Sequence, residues 1–171
     1  MNQNVNPKQL QQRLSKQASR AAAKAAYDLK QRKKYGDETI WCAWFDGSAH
    51  PNPGTCGAGV VLRSPDGRRW EWHQRLGFGN SSEAEYQALI LALEMAFPLV
   101  MADACRSLLV LGDSRVVLDD VRLDSAVSAP SLRDLHQRAR GVMALFPELE
   151  LRWLPRHRNA EADRLSQRFC E

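Results

Sequence analysis

The sequence predicts a mixed α/β domain: a five-stranded mixed sheet, three antiparallel strands plus two parallel ones, flanked by helices. Three observations predict it. Residues 40–76 hold three strand-forming runs separated by short Gly/Pro turns, which reads as an antiparallel meander. From residue 84 the apolar spacing changes to Ala84, Ala88, Leu91, Ala92, Met95, a helical period. Residues 107–111 (Ser-Leu-Leu-Val-Leu) are then almost uniformly apolar, as in a strand covered on both faces.

The 171 residues are enough for one domain with a proper core and an appendage, and 44% hydrophobic with 26% charged residues is an ordinary globular balance. The charge is unevenly placed. Residues 1–36 hold nine Lys/Arg against Asp28 alone, whereas residues 37–171 hold 15 Lys/Arg against 19 Asp/Glu. A basic tail on an acidic body suggests a polyanionic partner for the tail. Residues 1–36 are accordingly read as a basic, helical or partly disordered extension, and residues 37–171 as the folded domain.

In order, residues 1–7 are polar and disordered in character. Residues 8–35 are rich in good helix formers, with Leu10, Leu14, Ala18, Ala21, Ala25 and Leu29 on one face and Arg13, Lys16, Arg20 and Lys24 on the other. That basic stripe faces phosphate or is simply a solvated linker face. Strands follow at 40–46, 57–62 and 69–76, the last with Trp70 and Trp72 on one side. A helix over 83–97 ends at Pro98. A strand over 107–111 closes in Gly112-Asp113-Ser114, and a short helix spans 115–123. Residues 125–130 form a loop, 131–146 an amphipathic helix ended by Pro147, and Leu149, Leu151 and Trp153 alternate in a last strand. Residues 155–158 make a basic loop, and 159–170 a closing helix.

Cys42, Cys56, Cys105 and Cys170 show no metal-type spacing with the four histidines. Residues 1–36 have no apolar leader core, and the run at 84–101 is interrupted by Glu94 and Pro98 and reads as too short for a bilayer. The expectation is a reduced, cytoplasmic, monomeric protein without membrane contact.

Four acids lie at element ends that such a sheet brings together: Asp46 ending the first strand, Glu85 opening the first body helix, Asp113 ending the fourth strand, Asp163 in the last helix. Each has a structural alternative: Asp46-Gly47 as a turn pair, Ser82-x-x-Glu85 as a capping box, Asp113 as a helix cap, Asp163 as a solvated acid. Together they repel by several kcal/mol unless cations neutralise them. All-oxygen ligation selects hard ions, Mg²⁺ or Mn²⁺, and two such ions about 4 Å apart suit in-line attack on a phosphodiester.

Four segments then resemble type 1 ribonuclease H of the bacterial ribonuclease HI kind over residues 38–170. They are Phe45-Asp46-Gly47-Ser48 with Asn52-Pro53-Gly54, Ser82-Glu83-Ala84-Glu85-Tyr86, Gly112-Asp113-Ser114, and Arg156-His157-Arg158-Asn159-Ala160-Glu161-Ala162-Asp163. The resemblance implies a ribonuclease H-like fold and an endonuclease that hydrolyses the RNA strand of RNA/DNA hybrids, leaving 5′-phosphates. It implies Asp46, Glu85, Asp113 and Asp163 as ligands of two Mg²⁺, with Asp46 shared by both. Asn52 matches the residue that reads ribose 2′-hydroxyls in the minor groove. Three features depart from the family. Ser81 and Ser82 stand where consecutive Asn residues are common. His157 lies only six residues before Asp163, so it is either the counterpart of the family's mobile histidine or a partner of Arg156 and Arg158 in holding phosphate. The segment between Asp113 and the last strand is too short for a basic helical protrusion, a grip that residues 8–35 could supply instead. A proofreading-type exonuclease, with Asp-x-Glu on the first strand, is disfavoured by Ser48. A binding module without catalysis is disfavoured by the complete carboxylate set.

Overall fold

The computed structural model describes residues 7–123 and 130–169. The expected loop at 125–130 and the end of the closing helix at Cys170 fall largely or wholly outside them. The chain divides into two compact units, Met1–Lys34 and Tyr35–Glu171. The first is built on α1 (Pro7–Tyr35), a 29-residue helix about 43 Å long at 1.5 Å per residue. Every described side chain on it is exposed, Leu14 and Tyr27 included. All six lysines of the chain lie between positions 8 and 34, and the body's basic residues are all arginine.

In the second unit, β1 (Trp41–His50), β2 (Gly54–Arg63) and β3 (Arg69–Gly79) form the antiparallel meander. Then come α2 (Ser81–Met101), β4 (Ser107–Gly112), α3 (Arg115–Asp120), α4 (Arg133–Met143), β5 (Glu148–Trp153) and α5 (Ala160–Ser166). Single 3₁₀ turns at Pro130–Leu132 and Arg156–Arg158 lead into α4 and α5, and one at Gln167–Phe169 follows α5. The sheet order is β3-β2-β1-β4-β5, with β4 parallel to both β1 and β5. This is the predicted five-stranded mixed sheet flanked by helices.

Two expectations about element ends need correction. Asp46 does not end β1. The strand runs on to His50 because its antiparallel ladder with β2 continues from Asp46↔Gly59 to His50↔Thr55. What stops near Asp46 is the other neighbour: the β1–β4 ladder closes at Trp44↔Leu111. Pro98 does not end α2 either. A proline in the last turn removes one i→i−4 bond, and buried Ala96 and Val100 hold that turn to the core.

Side-chain alternation explains the two layers. Trp41, Ala43 and Phe45 face α2 in the main core, with Ala58, Val60 and Leu62 beside them. Cys42, Leu109, Leu111 and Leu154 form a second, smaller cluster, with Trp44 against it. By length and composition α2 could cross a membrane. Here its apolar residues bury Leu89, Leu93 and their neighbours against the sheet, on the order of 1.5–3 kcal/mol for each large side chain. α5 packs across β1 and β2.

Both helices approach where a strand lacks a side chain. A Cβ at Gly47 would lie 2.2 Å from the Ala84 backbone in α2, and one at Gly59 2.2 Å from the Ala162 carbonyl oxygen in α5. Backbone atoms cannot step aside as side chains do. Gly47→Ala is therefore expected to lower stability by about 3 kcal/mol or more in urea denaturation. Gly67→Ala, in open space but at positive φ, is expected to cost about 1 kcal/mol.

Candidate active site

Past Trp44 the edge of β1 is no longer covered by β4. The opening is where the acidic side chains gather. Oxygens of Asp46, Glu85 and Asp113 lie within 4.8 Å of one another. Asp46 is buried, and the other two are half-buried. At an effective dielectric near 20, two charges at that spacing repel by about 3 kcal/mol.

Each carboxylate is set by its element. Asp46 is fixed by the β1–β2 ladder and receives a hydrogen bond from the Ser166 hydroxyl of α5. Glu85 stands in the first turns of α2, and the backbone N–H of Gly47 hydrogen-bonds to its carboxylate. Its Oε2 is buried with no hydrogen-bond partner. Asp113 follows β4: its carbonyl accepts from the Trp153 indole at 3.0 Å, and its Oδ1 accepts from Asn159 Nδ2 at 2.9 Å. The same amide nitrogen donates to the Phe45 carbonyl at 2.8 Å. One buried side chain thus ties the residue before Asp46 to Asp113.

The capping box at the start of α2 is not Ser82 with Glu85. Asn80 is the N-cap: its side chain accepts from the Glu83 N–H, and Glu83 Oε2 accepts from the Asn80 N–H at 2.9 Å. With both capping-box bonds made by Asn80 and Glu83, the helix begins earlier and leaves Glu85 free of that task.

Asp163 stands aside from the trio. Its Oδ1 pairs with Arg156 at 2.7 Å, and its Oδ2 accepts from Gln167 at 2.8 Å. His157 is exposed in the turn after β5 and is not in the carboxylate group. Arg158 lines a cleft of about 440 Å³ with Trp44, Arg63 and Arg69. Asn52 and Ser81 bond reciprocally, Nδ2 to Oγ at 3.0 Å and the Ser81 N–H to Oδ1 at 3.1 Å. This pair fastens the β1–β2 turn to the start of α2, with half-buried Ser82 next in the helix.

Asn159 and Ser166 have no role in the sequence reading. A signal for Ser166 exists: it shares the buried face of α5 with Ala162 and Leu165, and a hydroxyl there needs a partner. Asn159 is 1% exposed, polar, and sits beside a strand end, which the sequence does not reveal.

Burial, with Asp113 and Asp163 nearby, raises Asp46 from 3.8 to about 7, against the Ser166 hydrogen bond and Arg156. Burial, with Asp46 and Asp113, raises Glu85 from 4.5 to about 9. With no ion bound, Glu85 therefore keeps its proton at neutral pH, while Asp46 is close to its midpoint. A carboxyl whose folded pKa is raised binds more protons folded than unfolded, so it costs stability as pH rises above its unfolded value. The loss for Glu85 develops from pH 4.5 towards 9. Glu85→Gln is expected to stabilise the ion-free protein by about 1–3 kcal/mol at pH 8 and by little at pH 4. Denaturation in EDTA at the two pH values checks this. Divalent-ion binding near pH 7 should release protons, visible in calorimetry as a buffer-dependent heat.

Comparison with known proteins places this arrangement. The reverse transcriptase-like family model matches residues 44–169. A bifunctional protein of Mycobacterium tuberculosis is 33% identical over 123 residues, 71% of this chain and 33% of its own. The chain thus spans about a third of that relative's length. The crystal structure of RNase H1 from the halophilic archaeon Halobacterium salinarum NRC-1 is 32% identical, covering 75% of this chain and 95% of that one, with a TM-score of 0.68. LC11-RNase H1, solved in complex with an RNA/DNA hybrid, is 28% identical over 74% of this chain and 94% of its own, with a TM-score of 0.67. A matching family model, shared fold and acidic trio at the β1–β4 opening converge, and the chain belongs to the type 1 ribonuclease H family.

Proposed function

We propose that the chain is an endonuclease that hydrolyses the RNA strand of RNA/DNA hybrids with the help of two divalent ions, Mg²⁺ with Mn²⁺ as substitute. The observation that carries this is the trio of carboxylates within 4.8 Å, with the buried Glu85 Oε2 unpartnered. Orphaned acceptor oxygen and crowded negative charge are what a hard cation satisfies. The RNA/DNA hybrid bound to the related LC11-RNase H1 supports the substrate class.

Asp46, Glu85 and Asp113 would hold the ions, with Asp46 as the shared ligand. Bound there, the ions supply an activated water and neutralise charge on the departing oxygen. Water adds at phosphorus, the P–O3′ bond breaks and the 3′ oxygen takes a proton, leaving a 5′-phosphate. Asp163 is the fourth carboxylate. A substrate phosphate that draws Arg156 from its 2.7 Å ion pair would turn Asp163 towards the ions. The Asn52–Ser81 pair and Ser82 face the minor groove, where hydroxyl and amide groups recognise 2′-hydroxyls. His157 and Arg158 join Arg156 along the phosphates, contacts indifferent to sequence. The basic face of α1 adds sequence-independent affinity for the hybrid. The chain works as a monomer in a reducing, cytoplasmic setting; the thiols of Cys42 and Cys105 fit the reducing part of that reading.

Fluorescent RNA/DNA hybrid, double-stranded RNA and double-stranded DNA, each with Mg²⁺, Mn²⁺ or EDTA, test the reading. Cleavage of the hybrid alone is expected, dependent on metal and reduced at least 10³-fold in Asp46→Asn. Cleavage of DNA, or hybrid binding without cleavage, would overturn it. Deleting residues 1–36 is expected to raise KM several-fold and flatten its salt dependence, with kcat within about two-fold. An unchanged KM rules out the role given to α1.

A further inference from the structure

Tyr86 follows Glu85 in α2 and is fully buried, and its hydroxyl donates to the buried Asp120 carboxylate. Asp120 is the last residue of α3, the helix that starts two residues after Asp113. α3 has only six residues, and Ser114 makes no side-chain cap at its start. A helix so short has little intrinsic persistence, so its position is imposed by its neighbours. α4 supplies that imposition at the far end. His136 Nε2 lies 3.2 Å from the carbonyls of both Asp120 and Leu123. Arg140 donates to the carbonyls of Val121, Arg122 and Leu123 at 2.9–3.3 Å.

These bonds close a circuit. Glu85 and Asp113 face each other in the acidic trio, while Tyr86 and Asp120, adjacent to them along α2 and at the far end of α3, are joined inside the core. We propose that Tyr86 and Asp120 are positioning residues, whose bond fixes α2 against α3 and so sets the Glu85–Asp113 separation that the ions require. The proposal rests on the metal-site reading above. Neither residue touches substrate or ion. Their effect reaches the reaction through the two carboxylates, as supports behind metal ligands do.

The test uses the full chain, Mn²⁺ binding followed by electron paramagnetic resonance, and Mg²⁺ titration of hybrid cleavage. Y86F should weaken Mn²⁺ binding about 10-fold and raise the Mg²⁺ half-saturation in step, with KM for hybrid unchanged. D120N keeps an acceptor for the phenol and should stay within about two-fold of wild type. Y86F/D120L also removes the buried carboxylate whose bond to the phenol Y86F breaks. It should recover the melting temperature but not the ion affinity, and it decides the matter where Y86F alone does not fold. Wild-type ion affinity in Y86F/D120L would show that the pair only stabilises the core and would overturn the proposal. The D46N variant serves as control. If it bound Mn²⁺ as tightly as wild type, the metal-site reading would fall, and the positioning role with it.

Discussion

Three carboxyl groups held within 4.8 Å in a half-buried opening are the constraint on which the rest of the structure depends. Left to themselves they would separate or stay protonated. The fold does not allow separation, because each carboxylate is anchored by an element that is itself anchored elsewhere. Burial first, and the neighbouring carboxylates after it, raise the affinity of Asp46 and Glu85 for protons.

The anchoring is done largely by backbone. β4 stops short of β1, which opens the sheet at Asp46 without ending the strand that carries it. Gly47 lets α2 come down against β1, and Gly59 does the same for α5. Polar groups then complete the job. Asn159 spans from the Phe45 carbonyl to Asp113, and Ser166 reaches Asp46 from the far side. Hydrogen bonds to charged, water-poor acceptors contribute about 1.5–3 kcal/mol each, comparable to the repulsion between one pair of the carboxylates.

Much of this was legible in the residues. The Gly/Pro turns and the switch of apolar period carry the element order, and alternation in Leu149, Leu151 and Trp153 marks the last strand. Element ends were harder, for physical reasons. β1 continues because a partner strand is present, which single-strand pattern cannot reveal. α2 passes Pro98 because tertiary burial outweighs one missing hydrogen bond. Asn80 rather than Ser82 caps α2, since β3 ends at Gly79 and the chain enters the helix directly after it. In the site, types and approximate places of the acids were readable. Asp163's engagement by Arg156 and Gln167 was not, since ion-pair geometry depends on how the 3₁₀ turn before α5 folds back.

The confinement of lysine to positions 8–34, where it stands beside Arg13, Arg20 and Arg32, has a chemical consequence. Arginine keeps its charge at any working pH and resists acylation, whereas lysine is the amine that acylating reagents and acetyltransferases modify. Apart from the chain's terminal amine, such chemistry can act only on the helical extension. The extension can therefore lose six of its nine Lys/Arg charges, or be tagged or tethered to a surface through its amines, while the charge pattern around the carboxylates stays as it was folded.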